Sequence, residues 1–469
     1  MNHSNKMTEK KLQKQMQQEM MDKTIFEQAK VYAYDYADKV TERNVYPTDE
    51  ALENLRVFDE PLPENSNDAK MILEMLHQYG SPATVAQIGG RFFGLVNGGI
   101  VPAALAVKWL NDFWDQNTPL YVTSPITSKL ETVVENWLKQ LFKLPDSTVA
   151  GFVSGTSMAI LAGLAAARYR IFQNLNWDFN SKGFRDAPEI RIVAGKHAHS
   201  AVLKAIALLG FGKDNIEWVE VDDQGRILVD DLPALDESTI LILQAGNVNS
   251  GSFDDFNAIC EIANEAKSWI HIDGAFGLWA AGSTQLEHLT SGIEKADSWS
   301  VDGHKTLNMP YDSGIVLCKD KEALVSALQA SGSYIVYGDN RDGMLYTPEM
   351  SRRARAIELW ATMKYLGRQG IDEMVLGLHE RARQFAEGLK KNGFRVLNEV
   401  VFNQVLVACE TDAETEMTLK NLQTLRECWC GGSIWFDEKV IRISVCSWAT
   451  TEEDVNRCIL SFVKARNQS

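Results

Sequence analysis

The chain has 469 residues, of which 45% are hydrophobic and 23% charged, as is ordinary for a folded protein with a large core. Its net charge of −16 disfavours nucleic acid or an anionic membrane surface as a partner, because both select clusters of Lys and Arg. No stretch is apolar enough to span a membrane, and residues 1–22 lack the apolar core of a signal peptide, so we predict a cytoplasmic protein with reduced cysteines.

The N-terminal segment is predicted to be an arm followed by helices. Residues 1–22 are rich in Lys, Gln, Glu and Met, which is typical of a detached polar helix or a disordered arm. Helical patterns and a glycine-bearing turn, Gly89–Gly99, follow before Leu120. We therefore assign residues 1–119 to an N-terminal arm and helical segment.

Strand-like and helix-like segments alternate through residues 120–366. The short apolar runs of strand length are Ile190–Ala194, Ile240–Leu243, Trp269–Ile272 and Gly314–Cys318. The helical patterns between them are Ser157–Arg170, Ala201–Leu209 and Phe256–Lys267. This alternation predicts a mostly parallel sheet covered by helices, with ligands at the carboxyl ends of the strands.

The pattern changes at about Gly367. Two helical stretches, Ala356–Leu366 and Asp372–Asn392, lead into the strand-like runs Phe394–Leu397, Gln404–Cys409 and Val440–Cys446. A last helix is expected after Thr450 or Thr451, since acidic residues follow these hydroxyls as in a helix start. Residues 367–469 therefore form a predicted smaller α+β domain.

A lysine and an aspartate in separate segments point to pyridoxal 5′-phosphate (PLP). Lys305 follows a histidine in Ser298–Thr306, and Asp273 ends an apolar run that starts at Trp269. A lysine amine can bond covalently to the PLP aldehyde, and a carboxylate can keep the pyridine nitrogen protonated so that the ring accepts electrons. An isolated His-Lys pair is more often a surface or helix-capping feature, so the hypothesis depends on further segments.

Two more segments fit this cofactor, each with a simpler alternative. The turn Gly151–Ser157 opens a helix and offers N–H groups and hydroxyls to a phosphate, although an ordinary helix cap has the same composition. His199 stands at a strand-to-helix junction, where an imidazole can stack on a pyridine ring. The pairs His197/His199 and His271/Asp273 also have the spacing of metal ligands, but nothing completes such a site, so no metal is predicted.

A loop tyrosine is a candidate proton donor. The segment Ser333–Asn340 carries few helix or strand signals and is predicted to be a mobile loop. Tyr334 within it would protonate a carbanion once the loop closes and excludes water. A solvent-facing aromatic side chain is the simpler alternative.

From about Leu76 to the C-terminus the chain resembles the group II PLP-dependent amino-acid decarboxylases, which include the aromatic L-amino-acid, glutamate and histidine decarboxylases. The segments that carry the resemblance are Arg91–Gly94, Ser124-Pro125, Ser154–Arg168, His199-Ser200, His271–Ala275, Asp302–Lys305, Pro310–Asp312, Ser351–Arg355 and Ile443–Val445. Gly89-Gly90 and Ser157–Ile160 depart from the family's motifs, which leaves the substrate open.

The resemblance implies the type I, aspartate-aminotransferase-like fold, with a large seven-stranded α/β domain, a small C-terminal domain and a homodimer with active sites at the interface. The roles it implies are the covalent lysine (Lys305), the partner of the pyridine nitrogen (Asp273), the stacking histidine (His199), the phosphate site (Thr156 and Ser157), the residue under the ring (Ala275), the histidine before the lysine (His304) and the loop proton donor (Tyr334). The implied reaction converts an L-amino acid into an amine and carbon dioxide.

Three alternatives stay open at the level of sequence. A transaminase or a carbon–carbon lyase of the same fold would share Lys305 and Asp273, and a regulatory protein could bind PLP without catalysis. The complete set of Lys305, Asp273, His199 and Tyr334 argues against a protein that binds PLP without catalysis.

Overall fold

The computed structural model describes residues 4–329 and 340–468, and the N-terminal part is helical. Its helices are α1 (Ser4–Asp22), α2 (Thr24–Lys39), α3 (Asp49–Glu53), α4 (Ala69–Met75), α5 (Pro102–Trp114) and α6 (Pro125–Phe142). Proline at the first position of α5 and of α6 suits a helix start, because the missing N–H would have no partner there. The predicted N-terminal arm is thus mostly the helix α1.

The largest sheet has seven strands, as the fold assignment predicts. They are β1 (Val149–Val153), β2 (Arg191–Gly195), β3 (Ile216–Val219), β4 (Thr239–Gln244), β5 (Trp269–Asp273), β6 (Ser298–Asp302) and β7 (Gly314–Cys318). Their order is β1-β7-β6-β5-β4-β2-β3, and β2 to β6 pair in parallel while β7 runs antiparallel to β1 and β6. The mostly parallel sheet predicted from the alternating pattern is confirmed.

Helices cover this sheet on both faces. They include α7 (Thr156–Asn174), α9 (Ser200–Leu208), α10 (Phe256–Glu265) and α11 (Lys321–Leu328), while the short helix α8 (Phe179–Lys182) follows α7. Separate hydrophobic clusters lie on the two faces, and β4 to β7 are buried along their whole length, as expected for a sheet that lies between two layers of helices. Gly163 brings α7 against β5, since a Cβ there would lie 2.8 Å from the His271 ring.

The C-terminal part carries a second, antiparallel sheet. The long helix α12 (Arg355–Lys391) leads into it and is interrupted at Gly367, whose φ of 61° is not helical. The remaining elements are β8 (Arg395–Val396), β9 (Gln404–Ala408), α13 (Asp412–Leu425), β10 (Gly431–Trp435), β11 (Glu438–Ser444) and α14 (Glu452–Arg466). The strand order is β10-β11-β9-β8. Thr451 caps α14 reciprocally with Asp454.

The segment Arg91–Gly94 attaches the N-terminal part to this second sheet. Phe93 donates its N–H to the Trp429 carbonyl and accepts from the Ser444 N–H, and its ring is buried against Phe385. The domain limits at residues 119 and 366 remain a prediction. Within the described ranges, no helix is both long and apolar enough to cross a bilayer.

Candidate active site

The loop between β6 and β7 carries Lys305 and is fixed by Asn308. The Asn308 side-chain oxygen accepts from the N–H of Gly99 at 2.6 Å and of Trp448 at 2.9 Å, and its amide donates to the Cys446 carbonyl. A Cβ on Gly98 would collide with the Lys305 carbonyl oxygen, so that segment crosses directly over the loop. Two distant parts of the chain therefore hold the backbone of the Lys305 loop in place.

The Lys305 amine lies against a buried carboxylate that sequence reasoning did not single out. Its Nζ is 3.0 Å from Oδ2 of Asp302, a residue at the end of β6 that is 2% exposed. The other oxygen, Oδ1, accepts the N–H of Thr156 at 2.7 Å, and His304 Nε2 is 3.7 Å from Oδ2. Asp302 thus links the lysine, the histidine before it and the N-terminus of α7.

Asp273 ends β5, the strand next to β6, and lies beside His199. The Asp273 carboxylate accepts from the N–H of Ala275 at 3.2 Å. Burial raises its pKa, while electrostatic interactions with His199 and Lys305 oppose that rise. Adjacent parallel strands thus bring the predicted acid and the predicted lysine close enough to interact electrostatically.

His199 caps helix α9 and is buried as a neutral ring. Its Nδ1 accepts the N–H of Ala201 at 3.2 Å, which leaves the proton of the neutral ring on Nε2. Burial lowers the pKa of His199, and the Asp273 carboxylate only partly offsets this. The flat, uncharged imidazole has the properties required for stacking on an aromatic cofactor.

The start of α7 has free donors for an anion. Gly155, the residue before the helix, supplies no capping side chain, and the Thr156 hydroxyl is buried with no partner among the described residues. Ser157 is exposed. Gly155 lies so close to Gly314 of β7 that a Cβ on Gly314 would fall 2.5 Å or less from its backbone, so this approach requires glycine. An unpaired hydroxyl at a helix N-terminus fits a phosphate group.

His304 packs under the site. Its Nδ1 accepts the N–H of Ser313 at 3.0 Å, and its ring stacks on Tyr311 with centroids 4.3 Å apart. Burial lowers the pKa of His304, while the nearby Asp302 carboxylate opposes that fall. The histidine therefore lies close to the carboxylate that pairs with the lysine.

Arg442 of β11 is a second residue that sequence reasoning missed. Its guanidinium is largely buried, and Nη1 donates to the Val248 carbonyl at 3.2 Å while Nε is buried without a partner. Burial lowers the pKa of Arg442, and its charge acts on His199, which places it at the same site. In the part of the chain described, no carboxylate pairs with Arg442, so it is available to an anionic group.

The structure brings together most of the predicted residues that it describes. Lys305, His304 and Thr156 surround Asp302, and Asp273 with Ala275 and His199 forms the adjoining wall. Tyr334 lies outside the described residues. Across residues 4–329 and 340–468, no three His, Cys, Asp or Glu side chains are arranged to hold a metal ion.

Comparison with known proteins identifies the family. The model of the pyridoxal-dependent decarboxylase conserved domain matches residues 52–409. The chain is 28% identical over 343 residues to the aromatic-L-amino-acid decarboxylase of Bacillus atrophaeus, covering 70% of this chain and 69% of that protein. It is 27% identical over 334 residues to the cysteine sulfinic acid decarboxylase of Mus musculus, covering 67% and 66% of the two chains.

Solved structures agree in fold. The crystal structure of mouse CSAD superposes with a TM-score of 0.87 over 95% of this chain and 98% of that one, at 21% identity. Oryza sativa TDC, crystallised with PLP and tryptamine, gives a TM-score of 0.86 over 95% and 97%, at 19% identity. Together with the matched domain, which spans most of the chain, these findings show that the chain belongs to the pyridoxal-dependent decarboxylase family and is a PLP-dependent amino-acid carboxy-lyase.

Proposed function

We propose that Lys305, Asp273, His199 and the start of α7 hold PLP, and that this site decarboxylates an L-amino acid. In this proposal Arg442 binds a carboxylate of the substrate. The observation that carries the proposal is the half-buried Lys305 amine, which follows β6, pairs with Asp302 at 3.0 Å and interacts electrostatically with the Asp273 carboxylate at the end of β5. When bound, PLP supplies an aldehyde for a covalent bond to an amine and a protonated ring that takes up the electrons left by departing carbon dioxide.

Asp273 is proposed to keep the pyridine nitrogen of PLP protonated. A carboxylate at the pyridine nitrogen keeps the ring N–H in place through a charged hydrogen bond, which is strong because Asp273 is buried. Its backbone contact with Ala275 fixes one carboxylate oxygen and leaves the other for the ring. Ala275 is small and partly buried, which suits a residue under a flat ring.

The remaining proposed contacts to the cofactor come from Thr156, Ser157 and Lys305. The unpaired Thr156 hydroxyl and the Ser157 amide at the start of α7 bind the phosphate. Lys305, whose amine lies 3.0 Å from Asp302, would provide the amine for the covalent bond to the PLP aldehyde. Tyr334 protonates the α-carbon in this proposal; that role stands on the family resemblance, and its test is retention of PLP with loss of amine in Tyr334→Phe.

Arg442 is proposed to select a carboxylate-bearing substrate. A guanidinium that is buried without an anionic partner has lost hydration and gains most from an incoming carboxylate. Its neighbour His199 faces the cofactor side of the site in the proposed arrangement. An amino acid held at both ends in this way is oriented toward Lys305 before reaction.

Decarboxylation and labelling test the proposal together. The full chain with PLP is offered aromatic, acidic, basic and sulfinic amino acids, and carbon dioxide, amine and keto acid are measured. We expect carbon dioxide and amine in equal amounts from one class. Keto acid without carbon dioxide would indicate transamination, and PLP absorption without turnover of any amino acid would indicate a binding protein.

The attachment point is tested by reduction with borohydride and peptide mapping. The label is expected on Lys305 and is expected to disappear in Lys305→Ala. Lys319→Ala is the matched control, because Lys319 also faces an aspartate, Asp297, but at the opposite end of β6. A label at another lysine would reject the site assignment.

We also propose a cytoplasmic homodimer. The seven cysteines are all free and buried, which suits a reducing compartment. Aromatic and aliphatic side chains exposed on α2 and α5 support association with a second copy.

A further inference from the structure

A turn in the C-terminal part of the chain reaches the Lys305 loop through the side chain of Asn308. The turn follows β11 and runs from Ser447 to Thr450, whose N–H donates to the Ser447 carbonyl at 3.2 Å. Asn308 is fully buried, and its side-chain oxygen accepts the N–H of Trp448 in this turn at 2.9 Å. The turn is therefore hydrogen-bonded to the loop that carries the lysine.

The amide nitrogen of the Asn308 side chain holds the backbone of the lysine itself. It donates to the carbonyls of Lys305 at 3.2 Å, Thr306 at 2.8 Å and Cys446 at 2.9 Å. The backbone N–H of Asn308 donates to the same Lys305 carbonyl at 2.9 Å. A lysine whose carbonyl is held by two donors has little backbone freedom, which limits where its amine can lie.

The backbone of Asn308 also suits this position. Its φ of 56° is left-handed, a conformation that asparagine and glycine adopt more readily than other residues. The same side-chain oxygen that accepts from Trp448 also accepts the N–H of Gly99 at 2.6 Å. One side chain thus joins an N-terminal segment and the C-terminal turn to the carbonyl of Lys305.

We propose, resting on the function proposed above, that Asn308 is a positioning residue through which the C-terminal turn controls the reactivity of Lys305 toward PLP. With the Trp448 N–H in place, the Asn308 side chain is held and the Lys305 amine is directed toward the aldehyde. Without that donor the side chain can turn away from the Lys305 carbonyl, and the amine takes up more positions.

The step that depends on this orientation is the covalent attachment of the cofactor. The Lys305 nitrogen bonds to the aldehyde carbon, and the aldehyde oxygen leaves as water with the two hydrogens of the neutral amine. Binding of the phosphate at Thr156 and of the ring at Asp273 does not involve Asn308. Covalent attachment should therefore respond to Asn308 while non-covalent binding does not.

The two parts of loading are measured separately on the full chain freed of PLP. The rate of covalent attachment is obtained by adding PLP, trapping with borohydride at set times and mapping the label on Lys305. Pyridoxine 5′-phosphate has the phosphate and ring of PLP but no aldehyde, so its affinity reports non-covalent binding alone. A positioning role changes the rate only, whereas a general loss of structure changes both.

Two substitutions of Trp448 isolate its backbone N–H. Trp448 is the second residue of its turn, a position that proline favours, so Trp448→Pro removes the N–H and retains the turn. Trp448→Ala keeps the N–H but removes the same indole, which donates to the Ile100 carbonyl. Attachment of PLP should be roughly tenfold slower in Trp448→Pro than in Trp448→Ala, because the lysine is less well oriented. Their affinities for pyridoxine 5′-phosphate should be equal.

Asn308→Gly removes the whole side chain at a φ that glycine accepts. The rate of attachment should fall roughly 10²-fold, again with the affinity for pyridoxine 5′-phosphate kept. Asn398→Ala is the matched control, because Asn398 is also buried, accepts the Leu406 N–H and donates to the carbonyls of Ser250 and Gln404. It should attach PLP at the wild-type rate even where its urea midpoint falls.

Equal attachment rates in Trp448→Pro and Trp448→Ala would overturn the inference, as would a parallel fall of rate and affinity in Asn308→Gly. The proposed function would stand in both cases, because the wild type would still carry the label on Lys305. A wild type without that label would reject the proposed function itself. Should one variant fail to fold, the other decides by the same two measurements.

Discussion

At the scale of single residues, Arg442 is a largely buried cation with no paired carboxylate among the described residues, and its Nε has no hydrogen-bond partner there. Arg442→Gln removes the charge but keeps a polar chain of similar reach. We expect KM for the preferred amino acid to rise about 10²-fold, the loss of a charged hydrogen-bonded pair of ~2–3 kcal/mol. PLP binding should persist, because no proposed contact to the cofactor involves Arg442.

Steady-state kinetics and the absorption of bound PLP check this prediction. Arg395→Gln is the control, since Arg395 pairs with Glu438 at a solvent-exposed position of the same sheet. Its KM should stay within a factor of two or so of the wild-type value, as expected when an exposed ion pair is removed. A normal KM in Arg442→Gln would remove Arg442 from the substrate site.

At the scale of elements, the contact between β5 and α7 buries a histidine that cannot accept a proton. His271 is fully buried beside Gly163, its Nδ1 lies 2.8 Å from the Ser298 hydroxyl, and burial lowers its pKa to about 3. The unfolded chain protonates this residue below about pH 6.5 and the folded chain does not until about pH 3, so stability falls as pH drops between those values.

This single group should cost on the order of 4 kcal/mol of unfolding free energy between pH 7 and pH 3. His271→Asn keeps a partner for Ser298 but does not titrate, so its urea midpoint should depend less on pH. His288→Asn, at an exposed histidine, should follow the wild-type curve. Parallel curves for the wild type and His271→Asn would show that the buried ring is not the source of acid sensitivity.

The elements that sequence reasoning recovered are those with an apolar pattern, and β6 shows why others escaped. The strands β4, β5 and β7 were predicted within a residue at each end. The strand β6 contains Ser298 and Ser300 and reads as polar, although Ser298 is fully buried. Its hydroxyl accepts a hydrogen bond from the Trp269 indole and forms another with His271. Hydrogen-bond partners in the neighbouring strand therefore allow this polar strand to be buried.

Gly151 illustrates the opposite error at β1. The run from Gly151 to Ser157 was interpreted as a turn, but Gly151–Val153 belongs to the strand. A Cβ on Gly151 would collide with the Tyr346 carbonyl, so this glycine serves close packing and not a turn. Composition alone does not separate these two uses of glycine.

The residues of the candidate site also fall into two groups, those that the sequence predicts and those that it does not. Lys305 and Asp273 follow from local motifs and from the rule that parallel strands present ligand-binding residues at their carboxyl ends. Asp302, Asn308 and Arg442 depend on contacts between segments far apart in the chain, and no local pattern marks them. The proposed role of Tyr334 and the domain limits stay predictions.

At the scale of the whole molecule, the N-terminal helices leave an apolar surface open. Helix α5 exposes Trp109, Leu110, Phe113 and Trp114. The surface continues onto α2, because Phe26 packs on Phe113 at 5.0 Å and Tyr34 on Trp109 at 6.0 Å. Contiguous apolar surface of this kind is uncommon on monomers, so we expect it to be an association site.

We expect a homodimer through this surface. Sedimentation velocity should give twice the chain mass of 52.5 kDa for the wild type. Leu110→Glu should shift the protein toward the monomer, because a carboxylate buried in an apolar interface costs several kcal/mol. Leu460→Glu is the control, since Leu460 is more exposed than Leu110 but lies on α14.

Activity links the association to the site. If the active sites lie at the interface, Leu110→Glu should lose decarboxylation as the dimer dissociates, and raising the protein concentration should restore both together. A monomeric Leu110→Glu with full activity would show that each chain forms its own complete site. A wild-type chain that sediments as a monomer would contradict the homodimer proposal. The apolar surface of α2 and α5 would then be expected to bind another partner.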